Sequence, residues 1–242
     1  KAIGRRNGGF DLVSNTVSML KDAGVSNIGL DLIYALPGQS LPEWKNELET
    51  ALSLGINHIS ACSLIIEDGT PFASSDLGSI IPDDAVSAEM WETTQNFLSQ
   101  AGMNRYEISN YAKCGCDCRH NQNVWHGGTY LGLGPSACSF DGALRWTEVS
   151  PLNVWMNGVS PETDEIPVME RLREIFIMGL RTAKGWEIEE FELISGGISY
   201  FSIWKDIILR LEAEKLLSLS GSTVRPTPLG LLFWNSLAEE FF

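Results

Sequence analysis

Along the first hundred residues, apolar side chains recur with two alternating periods. Between Asp11 and Ala23, Val13, Val17 and Leu20 fall on one helical face, and Gly24 follows as a stop. Residues 25–36, with the run N-I-G-L-D-L-I-Y-A-L, read as a buried strand closed by Pro37-Gly38. Ser40 is placed to cap a helix with Pro42 and Glu43 early and Trp44, Leu48, Ala51 and Leu52 on one side. A second strand is expected over residues 58–65. A helix is expected from Asp83 or Asp84 to Gln100, with Val86, Met90, Phe97 and Leu98 inward, and a short strand over residues 105–109. Strands alternating with helices of this length imply parallel pairing through right-handed crossovers. Three such units do not close a barrel. They look like the latter half of a (β/α) barrel or partial barrel, an open three-layer sheet being the other arrangement. In the barrel reading, the exposed sheet edge needs a partner that this chain lacks.

The pattern changes at Tyr111. Residues 111–164 are rich in Gly and polar side chains, as in G-G-T-Y-L-G-L-G-P and F-D-G-A-L-R-W, and read as loops and short strands around the mouth of the domain. From Pro167 helical spacing returns through Val168, Leu172, Ile175, Phe176 and Gly179. A short helical region follows at Ile188, Phe191 and Leu193, then a helix over residues 201–213 through Trp204, Ile208 and Leu211. Residues 216–224 suit a hairpin turning at Gly221-Ser222, and residues 228–242 a closing helix. Helices, a small hairpin and a helix resemble a winged-helix-like module. Its many glutamates, among them Glu187, Glu189, Glu190, Glu192, Glu212 and Glu214, favour a structural or docking role over DNA binding.

Composition narrows the function. The 242 residues are 44% hydrophobic, enough for a sizeable core, and the net charge of -14 disfavours broad contact with nucleic acid or anionic lipid. There is no apolar run long enough to cross a bilayer, residues 1–10 are basic without the apolar stretch of a signal peptide, and cysteines without a visible export signal lead to the expectation of a reducing compartment. The first residue is Lys1 rather than Met, which leads to the expectation of a processed chain or a fragment.

Several residues carry candidate chemistry. Asp31 sits within an apolar strand, where a carboxylate calls for a ligand or for an ion pair with Arg5 or Arg6. Its two oxygens suit the hydroxyls of a ribose. His120, Asn121 and Trp125 offer an imidazole, an amide and an aromatic plane, a set fit for a planar ligand, a tetrapyrrole carboxylate or heme iron. A hydrogen-bonding role for His120 stays open. Cys114, Cys116 and Cys118 alternate with single residues, whereas paired metal thiolates are usually separated by two or more, so no metal is assigned to them. Cys138 reads as a small buried side chain. No catalytic residue is assigned, and whether the chain is an enzyme is left open.

D-L-I-Y-A-L-P-G-Q-S, S-L-I-I-E-D-G-T-P-F, R-Y-E-I-S-N-Y-A-K, C-R-H-N-Q-N-V-W-H-G-G-T-Y-L-G-L-G-P-S-A and R-P-T-P-L-G-L-L occur in that order. Together they resemble the radical SAM family of oxygen-independent coproporphyrinogen III oxidase, and most nearly its heme chaperone branch. The resemblance implies an α/β fold: the C-terminal half of a radical SAM partial (β/α) barrel over residues 1–110, a family-specific loop and short-strand region over 111–164, and a small α+β winged-helix-like domain over 165–242. It implies S-adenosylmethionine and a [4Fe–4S] cluster in complete members, with heme as a further ligand. Asp31 would bind the cofactor's ribose, Arg5 would face its charged end or a second cofactor, and Ile65 would line its adenine side. His120 would contact heme or another tetrapyrrole, while Glu107, Asn110 and Asn121 would shape the mouth.

The chain departs from the family in several places. The C-x3-C-x2-C cluster motif occurs nowhere in it, so no cluster is expected on these residues alone. Asn7 stands where the family usually has His, Val124 replaces an aromatic before Trp125, and Cys138 replaces a His. The implied function is heme binding and transfer. Coproporphyrinogen III oxidation and a non-enzymatic binding role are the alternatives. Implied partners are heme, a heme-accepting client that includes a peripheral membrane protein, and a reductant, with no nucleic acid. The implied location is the cytoplasm or an organelle interior.

Overall fold

The computed structural model describes residues 9–68, 70, 72–73 and 81–242. The chain forms two compact units, one ending at Asp117 and the other spanning Cys118–Phe242.

In the first unit the order is α1 (Phe10–Asp22), β1 (Gly29–Tyr34), α2 (Leu41–Ser53), β2 (His58–Ser63), α3 (Asp84–Gln100), β3 (Asn104–Arg105) and β4 (Asn110–Ala112). Helix α2 begins with a reciprocal cap. Glu43 Oε2 accepts from the Ser40 N–H at 2.8 Å, and Ser40 Oγ accepts from the Glu43 N–H at 3.4 Å. Helix α3 is capped by Asp83, whose Oδ1 accepts from the Val86 N–H at 2.9 Å. Both helices bury one stripe: Trp44, Leu48 and Ala51 from α2, and Met90, Thr94 and Leu98 from α3. Trp44 Nε1 donates to Thr94 Oγ1 at 2.8 Å, so the buried indole leaves no unpaired N–H.

The sheet has the order β1-β2-β4-β3. β1 and β2 are parallel, as a helical crossover requires. β4 is antiparallel to both β2 and β3, which corrects the expectation of a third parallel strand over residues 105–109. The physical reason is a hairpin. Tyr106 N–H donates to the Asn110 carbonyl at 3.1 Å, and Glu107 Oε1 accepts from Ser109 N–H at 2.7 Å, turning the chain back with no crossover. β2 ends at Ser63, so Ile65 lies past the strand. Among the described residues the sheet is open, with β1 at one edge. One face packs against the helices through Leu30, Leu32, Tyr34, Ile59, Ala61 and Tyr111.

The second unit runs α4 (Arg119–Trp125), β5 (Cys138–Phe140), β6 (Leu144–Thr147), α5 (Leu152–Met156), β7 (Glu162–Glu165), α6 (Val168–Leu180), β8 (Trp186–Glu187), α7 (Ile188–Ser195), α8 (Tyr200–Ala213), β9 (Leu217–Ser220), β10 (Thr223–Pro226), α9 (Pro228–Leu232) and α10 (Trp234–Glu239). β5, β6 and β7 form an antiparallel meander, and β8-β10-β9 a second small sheet. α6, β8, α7, α8 and the β9–β10 hairpin pack around one apolar core. The hairpin turns at Gly221, whose φ of 62° lies in the left-handed region. The expected closing helix is two helices, because Phe233 leaves helical geometry at φ -100°, ψ 34°.

The core of this unit is aromatic. Phe176 stacks on Trp204 with ring centroids 4.7 Å apart and meets Phe191, Tyr200 and Phe241 at 5.1–5.6 Å. Trp186 lies across α6 at Gly179, where a Cβ would stand 2.1 Å from the indole, and its Nε1 donates to the Phe176 carbonyl at 2.9 Å. No helix among the described residues is long and apolar enough to cross a membrane.

Candidate functional site

Strand alternation gives the first unit's sheet two unlike faces. The face away from the core carries Gly29, Asp31 and Ile33 from β1 beside His58, Ser60 and Cys62 from β2, with Asn110 of β4 opposite Ser60. Gly29 admits the His58 ring, since a Cβ there would stand 3.0 Å from Nδ1. His58 Nε2 lies 2.7 Å from Tyr106 Oη. Burial lowers the His58 pKa, and the carboxylates of Asp31, Asp117 and Glu107 oppose that shift, so the ring is neutral near pH 7. Ser60 Oγ donates to Asn110 Oδ1 at 2.7 Å, and Asn110 Nδ2 donates to Glu107 Oε1. Glu107 is fully buried and accepts from both the Asn110 amide and the Ser109 N–H. The result is a fixed polar network with the Asp31 carboxylate exposed beside it. Such an array of acceptors and donors suits a polyhydroxylated ligand.

The sequence-derived candidates are distributed as follows. Arg5 lies outside the described residues. Asp31 is exposed on this polar face, within electrostatic reach of His58. Ile65 lies beyond the end of β2, the strand parallel to that of Asp31, and is 71% exposed. His120 belongs to the second unit, as the second residue of α4.

Helix α4 sorts its polar side chains by role. His120 is exposed, and its imidazole has no hydrogen-bond partner among the described residues. Trp125 is buried, with the Arg181 guanidinium 5.7 Å from its ring centroid. His126 sits edge-on to Trp186 at 5.0 Å and uses Nδ1 on the Gln122 carbonyl at 2.9 Å. Asn123 Nδ2 donates to the Thr129 carbonyl at 2.8 Å, and a Cβ on Gly128 would strike the Asn123 amide at 2.2 Å. Gly127, at φ 77°, is the residue of the pair whose backbone favours glycine as the chain folds over the end of α4.

Beside this loop is a cavity of about 290 Å3 between α4, β6 and α6. Its polar wall is Tyr130, Arg145, Arg171 and Glu174, and Val124, Ile175 and Met178 contribute apolar surface. Arg145 Nη2 donates to Glu174 Oε2 at 2.5 Å, and Arg171 Nη1 lies 3.5 Å from the same oxygen. Sequence reasoning missed this cluster. Its one local signal is the i, i+3 spacing of Arg171 and Glu174 on α6. Cys138 Sγ lies 3.7 Å from Tyr130 Oη. Among the described residues, no three of His, Cys, Asp and Glu are grouped to hold a metal ion, and none of the five cysteines is in a disulfide.

Comparison with known proteins extends this geometry. Residues 166–233, from the start of α6 into the C-terminal helices, match the HemN C-terminal domain. The heme chaperone HemW of Lactococcus lactis is 30% identical over 235 residues, covering 95% of this chain and 62% of that protein. The heme chaperone HemW of Bacillus subtilis is 31% identical over 229 residues, covering 91% of this chain and 60% of that protein. The chain therefore spans about 60% of the length of the curated relatives it matches. Among solved structures, the coproporphyrinogen III oxidase HemN from Escherichia coli, described as a radical SAM enzyme, superposes with a TM-score of 0.80. That match covers 98% of this chain and 59% of the oxidase at 17% identity, a likeness of fold.

Proposed function

From its homology to the HemW heme chaperones, within the HemN-like radical SAM proteins, we infer that this chain binds heme and passes it to a client protein. The observation that carries the reading is the state of its histidines. Of the three in the chain, His58 is held by Tyr106 and His126 by Gln122 and Trp186, whereas His120 is exposed and uncommitted. A neutral imidazole supplies an axial ligand to heme iron. Its exposed position on a short helix suits a ligand that must be given up again, because a client can approach the same face.

The polar sheet face supports a second role, contact with S-adenosylmethionine. Asp31 would accept from the ribose hydroxyls, and the exposed Ile65 would cover the adenine. Arg5 would pair with the charged end of the cofactor. The residues present do not fit a [4Fe–4S] cluster, since no three thiols converge among those described and the C-x3-C-x2-C motif is absent from the 242 residues.

We assign the chain to the cytoplasm or an organelle interior, with a reductant and a heme-accepting client, including a peripheral membrane protein, as partners. The organisation we propose places cofactor contacts in residues 1–110, the tetrapyrrole contact in 111–164 and a docking module in 165–242.

Coproporphyrinogen III oxidation is the second reading, and the likeness to HemN at 17% identity is one of fold. Two assays on one preparation separate them. Heme-loaded chain mixed with an excess of an apo-hemoprotein acceptor should transfer its heme, as read by the acceptor's absorbance. Loss of coproporphyrinogen III carboxylates, measured by mass spectrometry, should not occur. Turnover without heme transfer would replace the chaperone reading with the oxidase one.

A further inference from the structure

The cavity beside α4 lies in the same unit as His120 and is reached by the same helix. Val124, which lines it, is four residues after His120, one helical turn away on the same face. At about 290 Å3 it holds roughly ten waters' worth of volume, too little for a macrocycle and right for one short carboxylate arm. Its polar groups are of matching sign. Arg145 and Arg171 bring two positive charges against the single Glu174 carboxylate within the cavity. Asp164 forms a second ion pair with Arg145, 3.8 Å from Nη1, but it is 62% exposed, so this surface pair holds the guanidinium only weakly. Arg145 commits Nη2 to Glu174, while Nη1 makes only the weak surface pair with Asp164, which a buried carboxylate can displace. Arg171 is fixed in place, its Nη2 donating to the Gly127 carbonyl at 2.9 Å and its guanidinium stacked 4.0 Å from the Phe140 ring centroid. Tyr130 adds a phenol kept protonated by burial. Val124 and Met178 supply an apolar wall for methylene groups.

We propose that this cavity receives a propionate arm of the tetrapyrrole, its carboxylate taken by Arg145, Arg171 and the Tyr130 hydroxyl. The assignment rests on the heme reading above and deepens it. His120 would hold the centre of the ligand, and the cavity its rim. The Glu174 carboxylate orients both guanidinium groups and offsets part of their charge, which also limits affinity and favours release.

The test is a pair of absorbance titrations of the 242-residue chain, with ferric heme and with its dimethyl ester, in the same detergent. Charge-assisted hydrogen bonds of this kind are worth a factor of about ten or more, so the ester should bind at least about tenfold more weakly than the free acid. Arg145→Gln should reduce that ratio to about twofold, and Glu174→Gln should tighten heme while leaving the ester unchanged. Equal affinity for acid and ester in the unaltered chain would overturn the assignment without relying on any variant. If heme binding depends on His120 but ignores esterification, the cavity assignment falls and the heme reading stands. If heme does not bind at all, both fall.

Discussion

Gly179→Ala is the sharpest test of how the second unit's core is held together, because simple helix propensity and the packing predict opposite signs. Gly179 is in the last turn of α6, where Ala is the better helix former by about 1 kcal/mol. A Cβ there would stand 2.1 Å from Cε2 and Nε1 of Trp186, against an ordinary carbon contact of roughly 3.5–4.0 Å. The indole must therefore retreat by more than about 1 Å from a site where it is 1% exposed. Overpacking of this kind costs about 1–3 kcal/mol. Retreat also breaks the 2.9 Å bond from Trp186 Nε1 to the Phe176 carbonyl, leaving buried partners unpaired at about 1–3 kcal/mol. After subtracting the propensity gain, the net loss is about 1–5 kcal/mol, centred near 3. Urea unfolding followed by near-ultraviolet circular dichroism measures it directly, and adding Trp186→Phe to the Gly179→Ala variant should recover part of the loss. A variant as stable as the parent, or more stable, would refute the packing argument.

Three further outcomes follow from the charges and thiols. Burial holds the His58 pKa below its unfolded value of about 6.5, so the unfolded chain takes up the proton first. Stability should be level above about pH 6.5 and fall as pH drops below it, and His58→Gln should flatten that acid limb in urea titrations. Burial pushes Tyr34 up to about 12, so its contribution is complete below about pH 10 and is lost as pH rises from there toward 12. The loss reaches about 3 kcal/mol, and Tyr34→Phe should remove that part of the alkaline transition. Anaerobic incubation of the 242 residues with iron and sulfide should give no [4Fe–4S] Mössbauer signature, and a cluster abolished by replacing Cys114, Cys116 and Cys118 with Ser would contradict the reading of those thiols.

Much of the fold was legible in the chain because local rules agreed with one another. The Ser40/Glu43 cap, Pro42 and the Trp44–Leu48–Ala51 stripe all point to the same helix, and it forms. The hairpin at Gly221 was equally plain. The third strand was misread because R-Y-E-I-S has strand-like alternation, while the backbone turn there depends on the Glu107 side chain folding onto Ser109 N–H, which no periodicity reports. The acidic strand β7, E-T-D-E, has no apolar alternation and is defined only by pairing with β6. The candidate site residues divide in the same way. Asp31 and His120 stand out as polar groups in informative local contexts. The cavity does not, because Arg145 and Glu174 are 29 residues apart and meet only when α6 packs beside the meander.

The central claim is that His120 presents the heme-binding nitrogen. Its most direct measurement is a ferric heme titration of the parent chain beside His120→Ala, with binding and axial ligation followed by absorbance and electron paramagnetic resonance. The account predicts a nitrogen-ligated spectrum in the parent, lost in His120→Ala with affinity reduced by at least about tenfold, and retained in His126→Ala. An unchanged spectrum and affinity in His120→Ala would contradict it.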